Sequence, residues 1–114
     1  MTINVTGRHI EVTEPMRDHV HRRVGRLLEE HPRIENIHVI LDLEKHRHGA
    51  EIVLQGAGVG RMEARVESDD MYASIDQAVD KAEKQVRKWL DKVRDHGKDE
   101  GLGQLEAQLE QGGS

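Results

Sequence analysis

Residues 37–67 read IHVILDLEKHRHGAEIVLQGAGVGRMEARVE, and this stretch decides the fold. Ile37, Val39, Leu41 and Leu43 alternate with His38, Ile40, Asp42 and Glu44, the period of a strand with one apolar face. Ala50, Ile52 and Leu54 are the inward set of a second run. Met62, Ala64 and Val66 are that of a third, with Arg61, Glu63, Arg65 and Glu67 outward. Gly49 is expected to break the first run from the second, and Gly56-Ala57-Gly58-Val59-Gly60 to turn a hairpin. Each run keeps a polar face, so the sheet is expected to meet water on one side.

Upstream, Ile3 and Val5 alternate with Thr2, Asn4 and Thr6 in a short strand that Gly7 is expected to end. Residues 8–12 are read as an extended linker or a short continuation of the strand. Thr13 reads as a helix N-cap, with Glu14 and Pro15 in a first turn that favours acid and tolerates proline. Met16, Val20, Val24, Leu27 and Leu28 form one helical stripe, and Pro32 closes it. Downstream, Ser68, Asp69 and Asp70 cap a helix running from about Met71 to about His96. Its seam is Tyr72, Ile75, Val79, Ala82, Val86, Trp89 and Val93, spaced alternately by three and four. A one-sided sheet needs cover, so the seam is expected to pack on it. The order is β-α-β-β-β-α, an α+β fold with a four-stranded sheet, and the first crossover is long enough for a parallel pair.

Composition narrows the function. The chain has 114 residues, enough for one domain. It has 17 basic and 22 acidic residues, one Tyr, one Trp, no Phe and no Cys. Readers of RNA that stack bases on several aromatics are excluded, as are thiol nucleophiles, iron–sulfur clusters and cysteine zinc sites. No run approaches the ~20 apolar residues of a membrane span, and a cytoplasmic protein is expected. Residues 1–96 are read as the domain. Residues 97–114 hold five Gly, one Lys and four acids, an acidic flexible tail in which Leu102, Leu105 and Leu109 are spaced for a short helix.

The net charge of −5 conceals segregation. At about 100° per residue, Lys81, Lys84, Lys88 and Lys92 fall within about 80° of one another, roughly opposite the seam, and Arg87 and Arg94 flank them. Arg22, Arg23 and Arg26 gather on the outer side of the first helix, and Lys45, His46, Arg47 and His48 make a basic turn. One such helix face is ordinarily just solvated; two in an acidic protein point to a surface that tracks phosphates. His19 and His21 stand about 200° apart on a helix and cannot share an ion. His46 and His48 lack a third ligand, so no metal is expected. The glycine loop joins strand to strand, without the helix N-terminus that holds a nucleotide phosphate. Asp69 and Asp70 sit where caps sit. No catalytic constellation emerges, so no enzyme activity and no cofactor are expected.

Three segments carry a family likeness: INVTGRHIEVTEPMRDHV (3–20), NIHVILDLEKHRHGAEIVL (36–54) and ESDDMYASIDQAVDKAEKQVRKW (67–89). Together they resemble the short form of the ribosome hibernation factors, the family of hibernation-promoting factor and protein Y, the ribosome-associated inhibitor, also known as sigma-54 modulation proteins. The likeness spans about residues 2–95. It implies both helices on one sheet face, similar to double-stranded-RNA-binding domains. It implies docking on the small ribosomal subunit in the channel for mRNA and tRNA, on rRNA and ribosomal proteins, within the 70S ribosome, with no DNA and no membrane. The family's RNA-contacting bases fall on Arg23 and Arg26, on Lys81, Lys84, Lys88 and Lys92, and on Lys45 and Arg47 of the turn. Arg22 and Arg87 join them on charge alone. The length and acidic tail resemble protein Y more than the members that pair ribosomes. The other class of function these residues allow is a generic RNA- or protein-binding adaptor, transcription-modulator-like, without occlusion of the ribosome.

Overall fold

The computed structural model describes residues 2–58 and 60–99, of which 94–99 by backbone alone. Its elements are β1 (Thr2–Arg8), α1 (Glu14–Glu30), β2 (Ile34–Glu44), β3 (Arg47–Gly56), β4 (Gly60–Ser68) and α2 (Met71–Asp99). The chain divides into two units, Met1–Lys84 and Gln85–Ser114, and the sheet with its helical cover belongs to the first. Among the described residues no helix is long and apolar enough to cross a membrane.

Alternation becomes a mixed sheet in the order β1-β2-β3-β4, with β1 parallel to β2 and the other pairs antiparallel. Register aligns the apolar residues in rows across the strands. One row is Ile3, Ile37, Leu54 and Met62; the next is Val5, Val39, Ile52 and Ala64. Both helices cover this face. Val20, Val24, Leu27 and Leu28 of α1 and Met71, Ile75, Ala78, Val79 and Ala82 of α2 are all buried. Among the described residues the buried apolar side chains are aliphatic apart from Met71.

The caps form as the sequence implies. Thr13 Oγ1 accepts from the Met16 N–H at 3.3 Å, and Asp70 Oδ2 accepts from the Ala73 N–H at 3.2 Å. Below α2, the fully buried Ser74 hydroxyl donates to the His48 carbonyl at 2.6 Å and lies 2.6 Å from Ser68 Oγ.

Four expectations need correction. Gly49 does not break the strands: it lies inside β3, between Asp42 and Glu67, where a Cβ would come 2.9 Å from the Arg65 guanidinium. The turn is Lys45-His46, a two-residue loop with Lys45 at φ 58°, a left-handed backbone that costs a lysine about 1 kcal/mol. Gly7 does not end β1, which runs to Arg8; a Cβ at Gly7 would collide with the Ile10 carbonyl as the chain folds back. Tyr72 is exposed, and its neighbour Met71 takes the core position. Helix α2 runs to Asp99, past the expected end at His96. The rest of the acidic tail, with Leu102, Leu105 and Leu109, lies outside the described residues.

Candidate nucleic-acid interface

Three kinds of basic side chain emerge, distinguished by what holds them. The first kind is clasped between the helices. Arg23 Nη2 donates to Asp80 Oδ1 at 2.8 Å and to the Asp76 carbonyl at 3.3 Å, and its Nε stands 3.0 Å from Asp76 Oδ1. His19 Nε2 shares the same carboxylate at 2.8 Å, with Tyr72 edge-on to its ring at 5.2 Å between centroids. His31 Nε2 stands 3.7 Å from Glu83 Oε2. These contacts tie α1 to α2 across the outer seam, and they join residues more than fifty positions apart.

The second kind is held at the sheet. On the open face, Arg61 donates to Glu63 at 2.7 Å and Arg65 to Glu67 at 3.0 Å, with Glu51 and Asp42 near Arg65 at 3.7 and 3.9 Å. Arg47, assigned to the basic turn, stands 3.6 Å from Glu67. Lys81 reaches over the sheet margin and donates to the Arg65 carbonyl at 3.3 Å.

The third kind faces solvent. Arg22 and Lys84 of the first unit are exposed, as is Lys45 in its turn, and so is Lys88 of the second unit; none of these four has an ion-pair partner among the described residues. Arg26 is exposed, with Glu30 one turn on at 3.8 Å. Arg87 is exposed, while Lys92 is half-buried; both have partners. The ten basic residues singled out in the sequence therefore divide. Arg22, Arg26, Lys84, Arg87 and Lys88 are exposed on helices and Lys92 is half-buried on α2; Lys45 and Arg47 lie at the hairpin end; Lys81 leans to the margin; Arg23 is engaged by carboxylates.

The clasp is what sequence reasoning missed. Asp76 and Asp80 one helical turn apart facing an arginine was its only signal, and nothing in the sequence alone pairs residues so distant. Among the described residues no three His, Asp or Glu side chains are grouped to hold a metal ion. What exposed bases without carboxylate partners offer chemically is non-covalent attraction of anions.

Known proteins share this sequence pattern and fold. A family model described as sigma 54 modulation protein / S30EA ribosomal protein matches residues 3–94. A ribosome hibernation promoting factor of Pseudomonas putida is 39% identical over 92 residues, covering 81% of this chain and 89% of that one. That of Escherichia coli K12 is 36% identical over 96 residues, covering 84% of this chain and all of its own length. Among solved structures, a ribosomal subunit interface protein from Coxiella burnetii superposes with a TM-score of 0.74 at 26% identity, covering 80% of this chain and 99% of its own. The N-terminal domain of Thermus thermophilus protein Y gives 0.70 at 34% identity, covering 78% and 99%.

Proposed function

The chain belongs to the sigma 54 modulation protein / S30EA ribosomal protein family, and on that premise we propose that it is a hibernation factor that lays its basic helix faces on the small ribosomal subunit. The observation that carries this reading is the set of unpaired exposed bases, Arg22, Lys84 and Lys88, on the helix layer of an acidic protein. Bases without carboxylate partners release counterions when they meet phosphate, and that release drives association without reading sequence. Bound in the path of mRNA and tRNA on rRNA, the domain inhibits translation by filling space, and so keeps ribosomes idle under stress in the cytoplasm. It is a binding protein and not an enzyme, so inhibition is stoichiometric. Residues 1–96 are the binding unit, and the acidic 97–114 segment contributes little to affinity for a polyanion.

Co-sedimentation with 30S and 70S particles over a salt series tests this. Binding to both, falling steeply as salt rises, is the expected result. Flat salt dependence refutes the phosphate account, and failure to sediment with either particle leaves the adaptor class in its place.

A further inference from the structure

Strand β4 forms one margin of the sheet, and the hairpin geometry fixes which of its backbone groups face outward. The two-residue loop makes Glu44 and Arg47 a hydrogen-bonded closing pair. Bonded pairs recur at every second residue of an antiparallel ladder, so the odd-numbered residues of β3 bond β2. Its even-numbered residues then bond the even-numbered residues of β4. Arg61, Glu63, Arg65 and Glu67 accordingly direct their N–H and C=O groups to the outer margin. The Lys81 ammonium agrees, since the β4 carbonyl it reaches is that of Arg65.

The charges of these four residues are antisymmetric about Ala64: Arg61 answers Glu67, and Glu63 answers Arg65. We propose that this margin pairs with the same margin of a second copy of the chain, antiparallel, with the two-fold axis at Ala64, to give an eight-stranded sheet. In that register Arg61 faces the partner's Glu67, and Glu63 faces the partner's Arg65. Every pair of margin-facing residues is then also a pair of opposite charges. On the covered side Met62 meets the partner's Val66. Centring the axis on Glu63 or Arg65 instead sets arginine against arginine and glutamate against glutamate, which opposes pairing. An axis between residues sets margin-facing groups against inward ones. Charges on an edge strand normally defend it against other strands. Axes at Met62 or Val66 also oppose unlike charges, but over only two of these four residues; the Ala64 axis alone matches all four. Lys81 must release the Arg65 carbonyl for the ladder to close, which makes it a competitor for this edge. Seven residues bury little area, so the association is of the weak, concentration-dependent class. It does not depend on the ribosome reading.

Sedimentation velocity of the full-length protein, from about 10 μM to about 1 mM, should show average mass rising toward twice the monomer's. Glu63→Arg and Arg65→Glu each set like charges opposite twice and should weaken association by about tenfold or more. An equimolar mixture of the two variants restores opposite charges and should recover a heterodimer. Arg65 also serves its own sheet, so a second measurement guards against a variant that unfolds. In this cysteine-free chain, Glu63→Cys and Arg65→Cys meet across the proposed axis at a Cα spacing of about 5.5 Å, within disulfide reach. Oxidation of their mixture should yield a mixed disulfide dimer in preference to either self-linked species. A wild-type protein that stays monomeric throughout, folded variants whose mixture recovers nothing, or cysteines that link only at random would each overturn the proposal.

Discussion

The open sheet face and the outer side of the helix layer carry the same residue types with opposite consequences. On the sheet, Arg47, Arg61 and Arg65 each have a glutamate within 3.6 Å. On the helices, Arg22, Lys84 and Lys88 face water without an ion-pair partner among the described residues. An arginine that already holds a carboxylate must exchange it for a phosphate, and such exchanges come out near neutral. A solvated lysine gives up only its counterions and gains by doing so. Basic residues therefore cannot be counted toward an interface from composition; what each one already touches decides. Arg23, in the seam between the helices, is the intermediate case.

The strongest challenge to this contrast is charge reversal. Lys84→Glu with Lys88→Glu should lower affinity for 70S particles by about 100-fold or more, because two attractions become repulsions. Circular dichroism and the melting midpoint should be unchanged, since both side chains are exposed and their replacement leaves no cavity. Glu63→Gln on the open face serves as control and should alter affinity by less than about twofold. Equal losses from both changes would assign binding to the wrong side of the molecule.

Salt slopes sharpen the contrast residue by residue. Lys84→Gln should flatten the plot of log affinity against log salt by about one unit, and Arg61→Gln should leave it as it was. A matching change in both would mean that carboxylate pairing does not withhold an arginine from phosphate.

Arg23→Gln decides where the intermediate belongs. The side chain is 28% exposed, and its partners Asp76 and Asp80 are more open, so screening reduces the contribution of the clasp to about 1 kcal/mol. For a domain of this size that lowers the melting midpoint by about 4–8 °C. Calorimetry together with the salt slope separates the alternatives. A lower midpoint with an unchanged slope makes Arg23 a brace, whereas an unchanged midpoint with a flatter slope groups it with the lysines.

The smallest effect tests helix stability apart from charge. Gly25 lies inside α1 between Arg22 and Arg26, and a Cβ there meets nothing within 4 Å. Gly25→Ala should raise stability by about 0.5–1 kcal/mol in chemical denaturation and leave ribosome affinity unaltered. A gain in affinity would show that order in α1, and not charge alone, limits binding.

Much of the fold could be read from local pattern because local pattern is what made it. Ile37, Val39 and Leu41 alternate and are buried; Thr13 looks like a cap and accepts the bond of one. The misreadings arose where a residue's usual habit yielded to a neighbour. Gly49 is small to make room for Arg65, not to turn the chain, and Lys45 tolerates the left-handed backbone that a glycine was expected to provide. Tyr72 fits the spacing of the apolar seam but stands against His19, because Met71 already fills the core at the start of α2. Ile40, on the polar side of its strand, is nevertheless 8% exposed, because Thr6 and Glu51 flank it across both ladders. Of the candidate interface, the sequence revealed the positions of the bases. It could not reveal their partners, because Arg23 and Asp80 are neighbours only after the chain has folded.

Ser74 acts as a key in a keyway. The buried face of α2 offers Met71, Ile75, Ala78 and Ala82, side chains smooth enough to let a helix settle in several nearly equivalent seats. A hydroxyl that meets the His48 carbonyl and Ser68 Oγ favours one of those seats. A slip of one residue rotates a helix by about 100° and shifts it by about 1.5 Å. For Lys84, ten residues on, that rotation is the difference between facing outward and lying along the side of the molecule. The hydroxyl touches no ligand, yet together with the Asp76 and Asp80 clasp it helps fix which way Lys84 points.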